Sequence, residues 1–292
     1  MSFKIFTDSS SNLPDNIINK YDVGIVSLYY INNGEIYTGY LKNDENAIKS
    51  FYEMLRNKDN LSTSCANSQA FIDAFEPTLK EGKDLLYIGF SSGLSETYNE
   101  SVKAIELLKE KYPDRKITAI DTLNASLGQG LIVLTALRLK NQSKTFEEVV
   151  KFTEQTKLNV HSLFTVKTLS YLARGGRISK ATYFVGSIAD IKPTMHVNAN
   201  GKLVSDGKVI GRKRSLFALV NNLKQKIIEP ETQTICISHG DCIEDAKYLA
   251  QLIKSKMDVK EIVFNYIDPT IAVHSGPDTL AVFFYGEERQ DK

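Results

Sequence analysis

Short β-type runs and helical stripes of apolar residues alternate along this chain. In the first half, Phe3 to Thr7 reads as a strand, and Asp8 to Pro14 as a turn leading into a helix from Asp15. Val23 to Tyr40 reads as two strands around the turn Asn32-Asn33-Gly34. Asn43 to Asn57 places Ala47, Ile48, Phe51, Tyr52 and Leu55 on one helical face. Ser62 to Lys80 starts with a Ser/Thr cluster and continues as a helix. Asp84 to Ile88 is a short apolar run with buried-strand character. Thr97 to Tyr112 is an amphipathic helix with Tyr98, Val102, Ile105 and Leu108 at helical spacing. A strand at Lys116 to Asp121 and a helix from Ser126 to Lys140 follow. This βαβ rhythm predicts an α/β fold with a mainly parallel sheet and helices on both faces. Ligand crevices in such folds lie at the carboxyl ends of the strands. Asp8 to Ser11, Thr63-Ser64, Ser91 to Ser95 and Asp121-Thr122 are predicted at that edge.

A new pattern starts near Thr145. Helices are predicted at Phe146 to Leu158, Leu169 to Leu172, Arg214 to Ile228 and Ile243 to Met257. Strands are predicted at His161 to Val166, Ile191 to Met195, Lys202 to Ser205, Lys208 to Ile210, Thr234 to Ser238, Ile262 to Tyr266 and Leu280 to Tyr285, with Asn198 to Gly201 as a hairpin turn. The expected organisation is two domains, 1–144 and 145–292, the second an α/β domain with a mixed sheet.

Composition narrows the function. A chain of 292 residues suits two domains, and a net charge of +1 gives no global field for nucleic acid or an anionic membrane. The longest apolar stretch, Leu131 to Leu139, is broken by Thr135 and Arg138 and cannot span a bilayer, so no stable membrane insertion is expected. The start enters a strand without an apolar signal region. Cys65, Cys236 and Cys242 are odd in number and scattered, which fits a reducing, cytoplasmic setting. No Cys/His pair stands at metal-ligand spacing near another, and neither a Walker A nor a G-x-G-x-x-G motif is present. Neither a metal nor a cofactor is expected.

The candidate chemistry centres on GFSSGLSET, Gly89 to Thr97. A strand, a Ser/Gly turn and a helix start form a site for a negative oxygen, with the hydroxyls of Ser92, Ser95 and Thr97 as neutral donors. The turn has no Lys or Arg, which favours a single carboxylate over a polyphosphate. Gly89 to Gly93 also fits G-x-S-x-G, so Ser91 is an alternative esterase nucleophile with His239 or His274 as base. His274, in HSGP, either contacts a ligand or ties down its own turn. In Arg174-Gly175-Gly176-Arg177 the glycines let backbone approach an anion beside an arginine, or simply cap a helix. The cations of Lys208 to Arg214 form a solvated face or dock an acidic partner, which leaves a non-catalytic interaction module as a further alternative.

The chain resembles the DegV family, bacterial fatty-acid-binding proteins that serve as carrier subunits of fatty-acid kinase. The resemblance runs almost end to end. It rests on TDSSSNLP (Thr7 to Pro14), Thr63-Ser64, SSGLSETY (Ser91 to Tyr98), Asp121-Thr122 with GQG (Gly128 to Gly130), YLARGGRIS (Tyr171 to Ser179), Lys192-Pro193 and HSGP (His274 to Pro277). It implies a non-enzymatic carrier that holds a long-chain fatty acid in a tunnel. The carrier presents the carboxylate to a separate ATP-binding kinase subunit, which makes acyl phosphate for phospholipid synthesis. It implies that Thr63 and Ser95 bind the carboxylate, with Ser92 beside them, that His274 supports it, and that Arg174 lies near the head. Arg212 and Arg214 match the family's basic docking stretch, whose leading arginine falls here on Ile210. Glu96 and Asp278 replace glycines, and Cys65-Ala66-Asn67 replaces Gln-Pro-Ser. Both added carboxylates are expected to point away from the ligand.

Overall fold

A computed structural model describes residues 2–42, 44–57, 60–179 and 190–290. In the first half, β1 (Phe3–Asp8), β2 (Gly24–Val26), β6 (Asp84–Gly89) and β7 (Ile117–Asp121) form a parallel sheet in the order β2-β1-β6-β7. A separate antiparallel sheet joins β3 (Tyr29–Asn32), β4 (Glu35–Thr38) and β5 (Leu61–Ser64). In the second half, β8 (Val160–Thr165), β9 (Ile191–Val197), β10 (Leu203–Ile210), β11 (Thr234–His239), β12 (Glu261–Tyr266) and β13 (Leu280–Tyr285) form a mixed sheet in the order β10-β9-β8-β13-β11-β12. Only β11 and β12 pair in parallel within it.

Alternation along each strand sets the layers. Leu85 and Tyr87 of β6 face α3 (Ser68–Lys80) and α4 (Thr97–Lys111), where Phe71, Phe75, Ile105 and Leu108 cover them. Leu86 and Ile88 face the other way, toward α5 (Leu127–Asn141). This helix is apolar on nearly all sides because it lies between two sheets. Its far side meets Phe164, Ala281 and Phe283 of the mixed sheet. The opposite face of that sheet is covered by α8 (Arg212–Lys226) and α9 (Ile243–Lys254) through Leu216, Leu219, Leu249 and Ile253. One apolar core therefore runs across the chain position 144/145, from Phe3 and Ile120 to Phe283.

The remaining helices are α1 (Asp15–Tyr21), α2 (Glu45–Arg56), α6 (Phe146–Thr156), α7 (Ser170–Arg174) and α10 (Pro269–Ser275). Helix α10 belongs to the second half but packs on the small sheet of the first, where Ala272 and Val273 meet Tyr30, Phe51 and Leu61. Tyr52 clamps the junction by donating to the Ile267 carbonyl at 2.8 Å.

Several local expectations change. The Ser/Thr cluster after Asn60 is the strand β5, paired to β3 with Thr63 opposite Tyr30, rather than the start of a helix. Lys202 to Ser205 and Lys208 to Ile210 are one strand, β10, interrupted by a bulge between Ser205 and Gly207. Helix α8 begins at Arg212. The turn before His274 is the helix α10, capped by Asp268, which accepts from Ile271 N at 3.0 Å.

Candidate functional site

A cavity of about 380 Å³ lies between the inner face of the mixed sheet and the loops that leave the parallel strands, within the range of small-molecule sites. Its apolar wall includes Phe164, Val197, Leu203, Ala281 and Phe283 from the mixed sheet. Phe90, Leu94 and Ser95 follow β6, and Ala125 and Ser126 follow β7, so two of the predicted strand ends do border it.

Polar groups gather where α10 meets β5. His274, in the last turn of α10, places Nε2 2.7 Å from Thr63 Oγ1. Burial pushes the His274 imidazole down to about 4, and the charges of Arg177 and Arg174 act in the same direction. The ring is therefore neutral at pH 7. With the proton on Nε2 it donates to Thr63, and the Thr63 proton is then free for a ligand. His274 Nδ1 is buried without a partner. It packs against Gly175, where a Cβ would stand 2.2 Å from this nitrogen. The first of the paired glycines thus gives the histidine its place.

Ser95 borders the same cavity at the turn before α4. Its backbone N–H donates to Ser91 O at 3.1 Å, and its Oγ accepts from Thr97 N at 3.3 Å. The Thr97 hydroxyl stands 2.9 Å from Ser95 Oγ. When Thr97 is the donor, the Ser95 proton is free to point into the cavity. Thr63 and Ser95 can thus offer a carboxylate two neutral donors.

The two arginines of this segment lie in different places. Arg174 is exposed, stacked over Tyr171 at 5.1 Å, and outside the cavity lining. Arg177 lines the cavity instead, half-buried. Its Nε and Nη2 donate to Leu94 O at 3.3 and 3.2 Å, and its Nη1 donates to Gly175 O. One guanidinium thereby ties the Ser95 turn to the glycine that seats His274. Burial draws Arg177 below the usual arginine value, and no carboxylate among the described residues pairs with it. Both arginines stand in the same YLARGGRIS segment. Gly176, between them, has φ +72°.

Ser92 is also displaced: it is exposed, outside the cavity lining, and its N–H donates to Asp121 at 3.3 Å. Ser91 is fully buried, donates to Gly201 O at 2.9 Å and accepts from Gly93 N at 3.2 Å. None of its hydrogen bonds involves a histidine, so the serine–base pair of an esterase is not assembled. His239 is buried beside Tyr266 at 4.3 Å between ring centres, outside the cavity lining.

The Asp8–Ser11 segment organises the site from behind. Asp8 accepts from Tyr87 Oη at 2.6 Å, from Phe90 N and Gln129 Nε2 at 3.1 Å, and from both the backbone and side chain of Ser10. Burial raises its carboxyl above the usual range despite these donors. Gly128 and Gly130 let α5 approach: Cβ atoms there would meet Asn124 Oδ1 at 2.3 Å and Ser11 O at 2.5 Å. The GQG segment is thus a packing device that brings Gln129 to Asp8 and Thr7. Asp121-Thr122 likewise serves the loops, with Thr122 donating to Gly89 O at 2.8 Å.

The two added carboxylates differ: Asp278 lies outside the cavity lining, whereas Glu96 belongs to it. Asp278 pairs with Lys167 at 2.8 Å and Arg56 at 3.5 Å. Glu96 reaches the cavity rim but is exposed and accepts from Asn99 at 2.8 Å. Arg212 and Arg214 lie in the first turn of α8, away from the cavity. Arg212 binds Asp245 at 2.8 Å, and Arg214 is exposed. Among the described residues, no helix is long and apolar enough to cross a membrane.

Known proteins share this arrangement of elements. The family model described as "Uncharacterised protein, DegV family" matches residues 2–287. The DegV domain-containing protein CPE0026 of Clostridium perfringens is 43% identical over 291 residues, covering 99% of each chain. The crystal structure of a DegV lipid-binding protein from Thermotoga maritima matches with a TM-score of 0.87 at 26% identity, covering 99% of this chain and 100% of that one. A DegV family protein from Thermus thermophilus, described for its fatty-acid binding, matches with a TM-score of 0.88 at 26% identity, covering 98% of this chain and 100% of that one. Sequence and fold agree across the whole length: this chain belongs to the DegV family.

Proposed function

We propose that this protein binds a long-chain fatty acid in the cavity and presents its carboxylate to a separate ATP-dependent kinase subunit, without catalysing a reaction alone. One observation carries the reading: an apolar cavity of about 380 Å³ is bordered by Thr63, Ser95, His274 and Arg177, which gather neutral donors and one cation, with Glu96 at the rim held by Asn99. The structural relatives from Thermotoga maritima and Thermus thermophilus, which are described as binding lipid and fatty acid, support it.

The division of labour follows from the chemistry. Each buried methylene contributes about 0.8 kcal/mol, so some fourteen give roughly 11 kcal/mol before ordering costs are subtracted. The tail supplies affinity. The head group needs orientation, and two hydroxyl donors with one cation satisfy a carboxylate without enclosing it. An oxygen left accessible in this way can accept a phosphoryl group. Ser91, engaged with Gly201, is not the nucleophile of this site. Arg214, exposed in the first turn of α8, is the docking cation in this reading; Arg212 supports it through Asp245. The setting is cytoplasmic, where free thiols and acyl precursors meet.

The test is mass spectrometry of an organic extract from the denatured protein, followed by kinase-coupled acyl-phosphate assays. Near-stoichiometric fatty acid is expected. Ser95→Ala and His274→Ala should keep the fold and stop acyl-phosphate formation. An empty protein that takes up no added fatty acid, or undiminished turnover in both variants, refutes the assignment.

A further inference from the structure

One buried cation has no part in the head-group arrangement described so far. Arg289 lies in the tail after β13, is 5% exposed, and is drawn down by burial to about 10. Its side chain donates to four backbone carbonyls: Nε to Leu158 at 3.3 Å, Nη1 to Val197 at 3.2 Å and to Asn198 at 2.8 Å, and Nη2 to Leu123 at 3.1 Å. These carbonyls belong to three segments: the stretch before β8, the end of β9 with its hairpin turn, and the loop after β7. Burying a cation against neutral carbonyls is costly, and an apolar side chain would anchor the tail without that cost. What the planar fork alone supplies is several donors in fixed directions. The hairpin turn that it holds, Asn198 to Gly201, lies directly on the turn that carries Ser95. Ser91 Oγ donates to Gly201 O at 2.9 Å. A Cβ on Gly93 would stand 2.6 Å from Asn200 O, and one on Gly201 would stand 2.1 Å from Ser91 Oγ and 3.0 Å from Leu123 Cα. The two turns therefore meet backbone to backbone. Ser95 N–H in turn donates to Ser91 O at 3.1 Å.

We propose that Arg289 is a positioning residue for the head-group site: it holds the β9–β10 hairpin and the Leu123 loop against the Ser91 turn, and so fixes where the Ser95 hydroxyl stands. This rests on the reading that Ser95 meets a ligand carboxylate. Arg289 is itself outside the cavity lining, so it acts on a ligand only through the elements it holds. The path to the head group is continuous, from Arg289 to the hairpin, from Gly201 to Ser91, and from Ser91 to Ser95. The same hairpin also carries Val197 and Leu203 into the apolar wall, which is a second way for Arg289 to affect binding. The two ways are separable, because only the first depends on the Ser95 hydroxyl.

The test is a double-mutant cycle on hexadecanoate affinity, read by calorimetric titration of the delipidated full chain. Arg289→Lys keeps the charge but donates from a single nitrogen, which cannot span the same four carbonyls. It should weaken hexadecanoate by about 3- to 10-fold, part of the roughly tenfold expected when Ser95→Ala removes a hydrogen bond to a charged group. In the Ser95→Ala background the same Arg289→Lys change should cost less than about twofold, because the group it positions is gone. Ser91→Ala cuts the path at its middle link and should repeat both results; it decides the matter if Arg289→Lys does not fold. Unchanged affinity in Arg289→Lys overturns the proposal. So does an equal loss with and without the Ser95 hydroxyl, which would trace the effect to the apolar wall or to general loosening. In either case hexadecanoate binding by wild type leaves the acyl-carrier reading standing, whereas a wild type that binds none overturns both.

Discussion

Gly175→Ala isolates the seating of His274. The backbone at Gly175 has φ −74° and ψ −7°, which alanine adopts freely, and alanine gains up to about 1 kcal/mol of helix preference over glycine. On backbone grounds alone the variant should be neutral or slightly stabilised. The side chain opposes this: its Cβ would stand 2.2 Å from His274 Nδ1, more than an ångström inside ordinary contact. The imidazole must swing away and give up the 2.7 Å bond to Thr63. Overpacking of this kind costs about 1–3 kcal/mol, and here it falls on the head-group site. Affinity for hexadecanoate should therefore drop by about 5- to 150-fold. Calorimetric titration and thermal unfolding together read this out. The control is Gly176→Ala. A Cβ there meets nothing within 4 Å, but φ is +72°, so it should cost about 1 kcal/mol of stability and leave binding intact. Wild-type affinity in Gly175→Ala, or loss of binding in Gly176→Ala alone, refutes the reasoning.

Three further outcomes are expected. Arg177→Gln should weaken hexadecanoate about tenfold, near the lower end of a charge-assisted hydrogen bond, and leave the methyl ester unchanged; equal losses on acid and ester would remove the charge argument. Asp8→Asn turns an amide N–H₂ toward donors from Tyr87, Phe90 or Ser10, and should cost about 1–3 kcal/mol in urea unfolding of the lipid-free protein. His161, His239 and His274 are each pushed down by burial to about 4, against an ordinary value near 6.5. Between these values the unfolded chain binds more protons, so stability falls as pH drops from about 6.5 toward 4. Asp268, raised by burial to about 6, acts in the opposite sense between about 6 and 3.8, because there the folded state holds the extra proton. His274→Ala should make the net slope shallower by about one proton, about 1.4 kcal/mol per pH unit; an unchanged slope from urea titrations at pH 5 and 7 would contradict this.

The layered α/β plan is visible in the sequence because its strands and helices carry strong, distinct periods. β6 is an apolar run buried on both faces, and α4 after it carries a stripe of buried residues. The site is less legible, for particular reasons. Thr63 sits on a strand, LSTS, with little hydrophobic alternation, and its pairing with Tyr30 is set by β3 rather than by its own residues. Ser92 and Ser95 are equivalent as residue types, and only the turn geometry sends one to solvent and the other to the cavity. Arg174 and Arg177 are equivalent as residue types, and only the folded segment around Gly176 separates the exposed one from the one that lines the cavity. Asp8 has the composition of a ligand contact, and only the arrival of Tyr87 and Gln129 from distant elements shows that it is an internal brace. His274 lies in a helix of seven residues, too short to show a period among Pro, Ser and Gly.

The bond between Thr63 and His274 spans 211 positions of the chain. At about 5–20 residues per second, roughly 10–40 s of synthesis separate the two side chains on the ribosome. For part of that interval the growing chain has its Ser95 turn and the apolar faces of α5 and the parallel sheet without the mixed sheet that covers them. The cavity wall is complete only once β13, which supplies Ala281 and Phe283, has been made. In the proposed carrier, loading therefore follows that step. The same delay leaves an uncovered apolar surface on the growing chain, the kind that chaperones hold until the closing strand arrives.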